Sequence, residues 1–312
     1  MPPVTHDRTL AAAGLICGYA MLIGFTDNYV RVIAQEHGLW QFHFLRTAMA
    51  MALLGLAAPL LGLRLRPVHP RAVVARSVIH GLAMVIYFGA LAFLPVAIVA
   101  AGLFTAPIFV LLISRFAYGF AIGPVRIMAV TTGFVGVILV LGPEAMSGAS
   151  VAAVLPVLAG ALYALGNVAT RQWCPDESAE TLVAGVFAVL GVFGALAMVG
   201  LALAPLAPPT GPDGFLMRGW LAPTGPFVLW TFVQAAGSLL GVGMMIRAYQ
   251  ITDAGRASVI ESVILPASAF WSWVLWGQSL APIAVAGMVL IVAAGSLIAL
   301  RAQTGEPVAP QA

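Results

Sequence analysis

Apolar runs of about twenty residues follow one another along the chain, each closed by a cluster of glycine, proline or arginine. A run of that length, wound as a helix at about 1.5 Å per residue, crosses the ~30 Å hydrocarbon core of a bilayer. The alternating apolar and polar pattern of a membrane β-barrel strand is absent from them. Cutting the sequence at its punctuation predicts ten spans, at about 10–30, 40–62, 72–92, 95–116, 124–143, 151–172, 178–204, 224–247, 254–276 and 281–301. Most connections are short, so consecutive helices should be antiparallel neighbours. The exception is "PLAPPTGPDGFLMRGWLAPTGP", residues 205–226, whose six prolines and four glycines predict an extramembrane loop.

The spans fall into two sets. Laying Pro107 of "AAGLFTAPIFVLLISRFAYG" over Pro266 of "VIESVILPASAFWSWVLWGQ" aligns two helices of like character, each followed by a glycine turn at Gly119 or Gly277. "DNYVR" at the end of the first span echoes "NVATR" at the end of the sixth, with Asp27 and Asn167 each four residues before an arginine. Five spans per half is an odd number, so the second half must enter the membrane upside down relative to the first. The predicted fold is an all-α integral membrane protein of ten transmembrane helices in two inverted five-helix repeats. The predicted divisions are 1–148, 149–302 and a disordered cytoplasmic tail over 303–312. Inverted repeats place a substrate site near the midplane between halves and point to alternating access.

Four stretches carry a family likeness. They are "ALAFLPVAIVAAGLFTAPIFVLL" with "GFVGVILVLG" in the first half, and "AYQITDAGRASVIESVILPASAFWSWVLWGQ" with "GMVLIVAAG" in the second. In these the chain resembles the drug/metabolite transporter superfamily, specifically its ten-helix EamA-type branch, over residues 9 to 301. The resemblance implies a central cavity bounded by spans 1–4 and 6–9, with spans 5 and 10 at the periphery. It also implies movement of small metabolites, often amino acids or related compounds and frequently by export. The family often has a glutamate after the glycine that follows spans 4 and 9. Here Phe120 and Gln278 stand there, so no role of that glutamate is carried over.

Composition agrees with a membrane protein and narrows the chemistry. The chain is 62% hydrophobic and only 8% charged, against ~45–50% and ~25% for a soluble domain. All fourteen cationic side chains are arginines. Without lysine there is no retinal or pyridoxal Schiff base and no P-loop. Cys17 and Cys174 have neither CxxC spacing nor companion histidines, so no disulfide, metal or cofactor is expected. The charge of +3 calls for no nucleic-acid partner, because topology accounts for the arginines. With the N-terminus inside, eleven arginines fall on the cytoplasmic side and two outside, which predicts cytoplasmic termini. The arginine-only, alanine-rich composition suggests a bacterial inner membrane. The N-terminal run has no convincing cleavage site and is taken as a retained span.

Ionisable residues inside the spans need a reason, since a charge at the centre of a membrane helix costs roughly 2.5–3.5 kcal/mol on the mildest scale. Glu261 shares a helical stripe with Ser258, Leu265, Ser268 and Ser272. Pro266 invites a kink in the same span. Three readings of Glu261 stay open: a structural pair with Arg76, Arg126 or Arg247, a substrate or proton-coupling site, and a place in interfacial water. The other polar residues sort by depth. Asp27, His43 and Arg46 lie toward the outer side, where Asp27 can pair with Arg46 or with Arg31. His80, Asn167, Arg171 and Glu261 lie toward the inner side. Tyr87, Tyr163, Gln234 and Ser238 lie between, and with Glu261 and Ser268 they are the expected cavity residues. The outer and inner layers are expected to act as alternating gates.

The function that follows is secondary transport of a small-molecule substrate, with uptake or exchange of a vitamin- or nucleoside-like solute as the alternative. An intramembrane enzyme would need a clustered site of histidines and carboxylates, and the five histidines are scattered. A channel or receptor fits the short loops poorly. Proton coupling is left open, as is a monomer against a homodimer in the lipid bilayer.

Overall fold

A computed structural model describes residues 8–90, 102–103, 105–120, 122–146, 154–277 and 281–301. The start of the predicted 95–116 span, the 148/149 boundary, Gln278 and the 303–312 tail lie outside them. Lipid offers no partner to a backbone N–H or C=O, so a spanning segment must bond its own. The described residues are accordingly helical and include no strand.

In chain order the helices are α1 (Thr9–Asp27), α2 (Val30–Glu36), α3 (Leu39–Leu61), α4 (Pro70–Ala90), α5 (Ala106–Phe116), α6 (Pro124–Met146), α7 (Val154–Gln172), α8 (Ala179–Leu203), α9 (Gly225–Ile251), α10 (Ala254–Glu261), α11 (Ile264–Trp276) and α12 (Pro282–Arg301). Seven helical stretches are long and apolar enough to cross a membrane, counting Thr9–Glu36 and Ala254–Leu275 as one each. Three further apolar helices are shorter: Ala106–Phe116, Ile127–Leu139 and Pro282–Ala294.

Two predicted spans are broken, for local reasons. The first ends at Asp27, and the turn at Asn28 and Tyr29 leads into the short α2. The ninth breaks at Ser262 and Val263, between α10 and α11, one turn before the proline that was expected to kink it. A proline ring clashes with the carbonyl four residues back, which here is Ser262. The turn instead uses tighter bonds, Leu265 N–H to Ser262 O at 3.1 Å and Val263 N–H to Ile260 O at 3.1 Å. The aligned Pro107 likewise lies in the first turn of α5, behind a turn at Thr105. Gly119 and Gly277 follow α5 and α11 at φ 69° and 63°, where a side chain would be strained.

Neighbouring helices pair closely. α1 packs on α9 and α11, α4 on α7 and α8, α3 on α8 and α9, α5 on α7, and α6 on α12. Glycines set the α1–α9 contact, where Gly237 faces Thr26 and Gly241 faces Ile23 with no room for a β-carbon.

The two ends of the bundle are tied differently. At one end the 205–224 segment folds back over α2 and α3. Arg218 is buried there and donates to Ala34 O at 2.9 Å, His37 O at 3.2 Å, Pro209 O at 3.2 Å and Gly211 O. Gln41 and the Leu221 backbone bond reciprocally at 2.6 and 3.2 Å, and the Trp40 indole donates to Leu216 O at 2.9 Å. Trp40 thus anchors the loop to α3. Arg218→Ala would leave these carbonyls unbonded, at about 1–3 kcal/mol. Limited proteolysis of the purified protein is expected to cut 205–224 in the variant and spare it in the wild type.

At the other end Glu177 joins the 62–69 and 173–178 loops. Its carboxylate accepts from the Val68 and His69 N–H groups at 3.1 and 2.5 Å, just before α4 begins, where helix-end donors favour an anion. Cys174 is buried beside it and free, and burial pushes its thiol up to about 11.

Candidate functional site

The predicted site residues form two polar groups at different depths, joined along α1. The first begins where α1 ends. Asp27 Oδ1 accepts from Gln234 Nε2 of α9 at 2.6 Å, and Gln234 Oε1 accepts from Ser238 Oγ, one turn further on, at 2.5 Å. Gln234 and Ser238 are fully buried, so this chain of bonds satisfies groups that water does not reach. Both had been expected at the midplane apart from Asp27; α9 lies against α1 and brings them to it.

His43 and Arg46, three residues apart on α3, belong to the same region and are buried. Neither forms the ion pair the sequence allows. No Asp27 oxygen comes within 4.0 Å of Arg46, although the two side chains are near enough for their charges to interact. The Arg46 guanidinium carbon instead lies 5.1, 5.5 and 6.0 Å from the ring centres of Phe187, Phe42 and Phe88. Tyr87 is half-buried beside Phe88, with ring centres 5.3 Å apart. Above this group Tyr29 stacks on Trp230 at 3.5 Å.

The second group centres on Glu261, the last residue of α10 before the proline-driven break. One carboxylate oxygen accepts from Tyr163 Oη of α7 and the other from Tyr249 Oη of α9 at 2.7 Å. Tyr19 of α1 stands behind them, its Oη 3.5 Å from that of Tyr163. All three tyrosines and the carboxylate are buried. The structural pairing of Glu261 with arginine does not occur for Arg76 or Arg247. Arg76 donates to Thr170 Oγ1 at 2.9 Å and Leu182 O at 3.5 Å, and Arg247 donates to Gln250 at 3.4 Å. Nor is Glu261 in interfacial water, at 6% exposed. A buried carboxylate held by phenols alone keeps its bonds in either protonation state, because a protonated oxygen donates where the anion accepts.

Around this cage lie His80, whose ring centre is 5.0 Å from that of Tyr163, and Asn167, one turn beyond Tyr163 on α7. Both are buried. His80 Nδ1, one Arg76 nitrogen and Ser77 Oγ have no hydrogen-bond partner among the described residues. Arg171 lies apart from the cage and donates to Thr252 O at the end of α9. Ser268 and Ser272 face α1: Asn28 Nδ2 donates to Ser268 O at 3.4 Å, and Ser272 Oγ donates to Asn28 Oδ1 at 2.8 Å.

Sequence reasoning missed Tyr19 and Tyr249. The signal was present, since a phenol inside an apolar run must find a partner for its hydroxyl. It also missed why the other half has no counterpart to Glu261. At the aligned Gly102, a β-carbon would lie 2.2 Å from Pro156 Cβ and 2.5 Å from its carbonyl carbon, so α7 crosses where the side chain would be.

No group of three or more His, Cys, Asp or Glu capable of holding a metal occurs among the described residues.

Comparison with known proteins places the chain. Residues 10–142 match the EamA-like transporter family. The riboflavin transporter of Rhizobium johnstonii is 27% identical over 261 residues, covering 83% of this chain and 78% of the relative. The pseudopaline exporter of Pseudomonas aeruginosa is 26% identical over 283 residues, covering 88% and 92%. A solved crystal structure superposes with a TM-score of 0.70, over 93% of this chain and 98% of its own, at 20% identity, so the two share a fold. The chain is a multi-pass helical membrane protein whose residues 10–142 are similar to the EamA-like transporter family.

Proposed function

We propose that the protein is a secondary transporter that moves a small metabolite, an amino acid or related compound, out across the bacterial inner membrane by alternating access. The observation that carries this reading is the pair of buried polar groups, one built on Asp27 and one on Glu261, joined by α1 inside an otherwise apolar bundle. In this reading Tyr87, Tyr163, Gln234, Ser238, Glu261 and Ser268 line the substrate path. Asp27, His43 and Arg46 gate one side, and His80, Asn167 and Arg171 the other. Both termini are cytoplasmic, and the 205–224 loop is outside. Asp27, Glu261 and His80 are the groups that proton coupling would use, and no cofactor takes part.

An inverted repeat of two five-span halves belongs to this proposal, and helix pairing supports it. Exchanging each first-half helix for its second-half counterpart turns the α4–α7 contact into α9–α1, and α5–α7 into α11–α1. The α3–α8 and α6–α12 contacts map onto themselves. A two-fold relation between halves has this consequence, and it is the geometry alternating access requires.

A second reading is favoured by the relatives named riboflavin transporter: movement of a vitamin- or nucleoside-like solute by the same two halves. One assay addresses both. Purified protein in liposomes loaded with unlabelled amino acids or riboflavin should accumulate the corresponding labelled solute by counterflow. The solute that supports counterflow selects the reading, and absence of counterflow with all of them sinks both. Counterflow indifferent to an imposed pH gradient would remove proton coupling.

A further inference from the structure

Arg46 is a buried cation with no ion pair among the described residues. It is 6% exposed, its Nε is sealed from solvent, and it makes no hydrogen bond or ion pair within the described residues. Three phenyl rings stand 5.1 to 6.0 Å from its guanidinium carbon. Rings attract a cation through their faces, but they accept no ordinary hydrogen bond from the sealed Nε–H. The nearest carboxylate, Asp27, already accepts from Gln234 at 2.6 Å.

The neighbouring groups are unsatisfied too. His43, one turn earlier on α3 and 1% exposed, has neither ring nitrogen bonded among the described residues. Thr231, one turn before Gln234 on α9 and fully buried, has a hydroxyl with no partner. Leaving a buried charge unpaired is strongly destabilising, and leaving buried donors unbonded adds to it. A buried polar group without a partner in the chain calls for one from outside it, a water, an ion or a solute.

We propose that Arg46 and His43 form the subsite for a carboxylate of the transported solute. This rests on the reading of the chain as a transporter. A carboxylate suits the place better than a phosphate: a single guanidinium presents a planar fork that matches two carboxylate oxygens, and the surrounding rings offer nothing to a second negative charge. The same rings would pack on an apolar or aromatic body next to the carboxylate. Asp27, with its Gln234 and Ser238 partners, stands in the same region, where an amine of the solute would meet a negative charge.

The test has two arms on purified full-length protein in detergent. In the first, thermal denaturation is followed with benzoate and phenylalanine, each beside the amide that lacks its carboxylate (benzamide, phenylalaninamide). At least one carboxylate is expected to raise the melting temperature while its amide does not. Arg46→Gln and His43→Gln are each expected to weaken that response about tenfold or more, the value of a lost charge-assisted bond. In the second arm Arg46→Met is melted without any solute. It is expected to melt above the wild type, because an uncompensated buried charge has been removed. A structural arginine would move it the other way.

Equal responses to carboxylates and amides, no response to any carboxylate, or a lower melting point for ligand-free Arg46→Met each overturn the subsite. Counterflow of a neutral solute together with such a result leaves the transporter reading standing and removes only the subsite. Carboxylate binding that depends on Arg46, with no counterflow of any solute, does the reverse.

Discussion

Glu261→Gln is expected to cut counterflow by about ten- to a hundredfold while leaving the protein folded, the range that corresponds to ~1.5–3 kcal/mol for a hydrogen bond to a charged group. Glutamine has nearly the same shape. Its carbonyl oxygen can accept from one phenol and its amide can donate to the other, so Tyr163 and Tyr249 keep partners and the turn before Pro266 keeps its packing. What is lost is the negative charge and the capacity to exchange a proton. Counterflow in proteoliposomes, compared with the melting temperature of the same preparations, separates the two effects. Loss of transport without loss of stability is the expected outcome, and equal transport by the variant would dismiss Glu261 from the mechanism. Tyr249→Phe removes one donor at 2.7 Å and leaves the charge in place, so its effect should be smaller. Any response to an imposed pH gradient should survive in Tyr249→Phe and vanish in Glu261→Gln.

The largest expected effect on stability lies at Gly102. Glycine to alanine in an exposed helix gains about 1 kcal/mol of intrinsic propensity. Gly55, which has no atom near its missing side chain, should show that gain as Gly55→Ala. At Gly102 the β-carbon would meet Pro156 at 2.2 Å, and the contact includes backbone that cannot swing aside. Gly160, across the same crossing, would drive its β-carbon to 2.5 Å from Gly102 O. Overpacking of this kind costs about 1–3 kcal/mol and sometimes more, which outweighs propensity and reverses the sign. Melting of Gly102→Ala below wild type, with Gly55→Ala at or above it, is the expected pair of results. Gly102→Glu, which would restore a carboxylate to both halves, should be destabilised further, because it adds a buried charge to the same clash. Tolerance of Gly102→Ala without a change in melting would show that the α7 crossing is loose.

The site was partly legible in the sequence, and the pattern of successes follows from the physics. Glu261, Asp27, Gln234 and Tyr163 stood out because each is polar where lipid or packed apolar side chains are the alternative, a property visible at one position. Their partners did not stand out. Tyr163 and Glu261 are 98 residues apart, and Gln234 and Asp27 are 207 apart. Pairing by depth and spacing offered Asp27 to Arg46 or Arg31, whereas helix packing gave Asp27 to Gln234 and left Arg46 among rings. Glu177, which closes one end of the bundle, lies in a loop where an acidic residue looks like ordinary solvation.

The sequence by itself determined that the chain lives in a membrane, the approximate position of its spans, the places where glycine and proline end or break them, and its likeness to the EamA branch. These are local matters: hydropathy over twenty residues, a missing N–H, a left-handed turn. Only the tertiary structure decided which way each helix is turned about its own axis, and with that which polar groups meet. In a soluble helix the apolar stripe reveals that rotation. In a membrane helix, lipid and protein neighbours are equally apolar, so the stripe fades and close packing of small residues sets the rotation instead. The phenols around Glu261, the phenyl rings around Arg46 and the lack of room at Gly102 all follow from that packing.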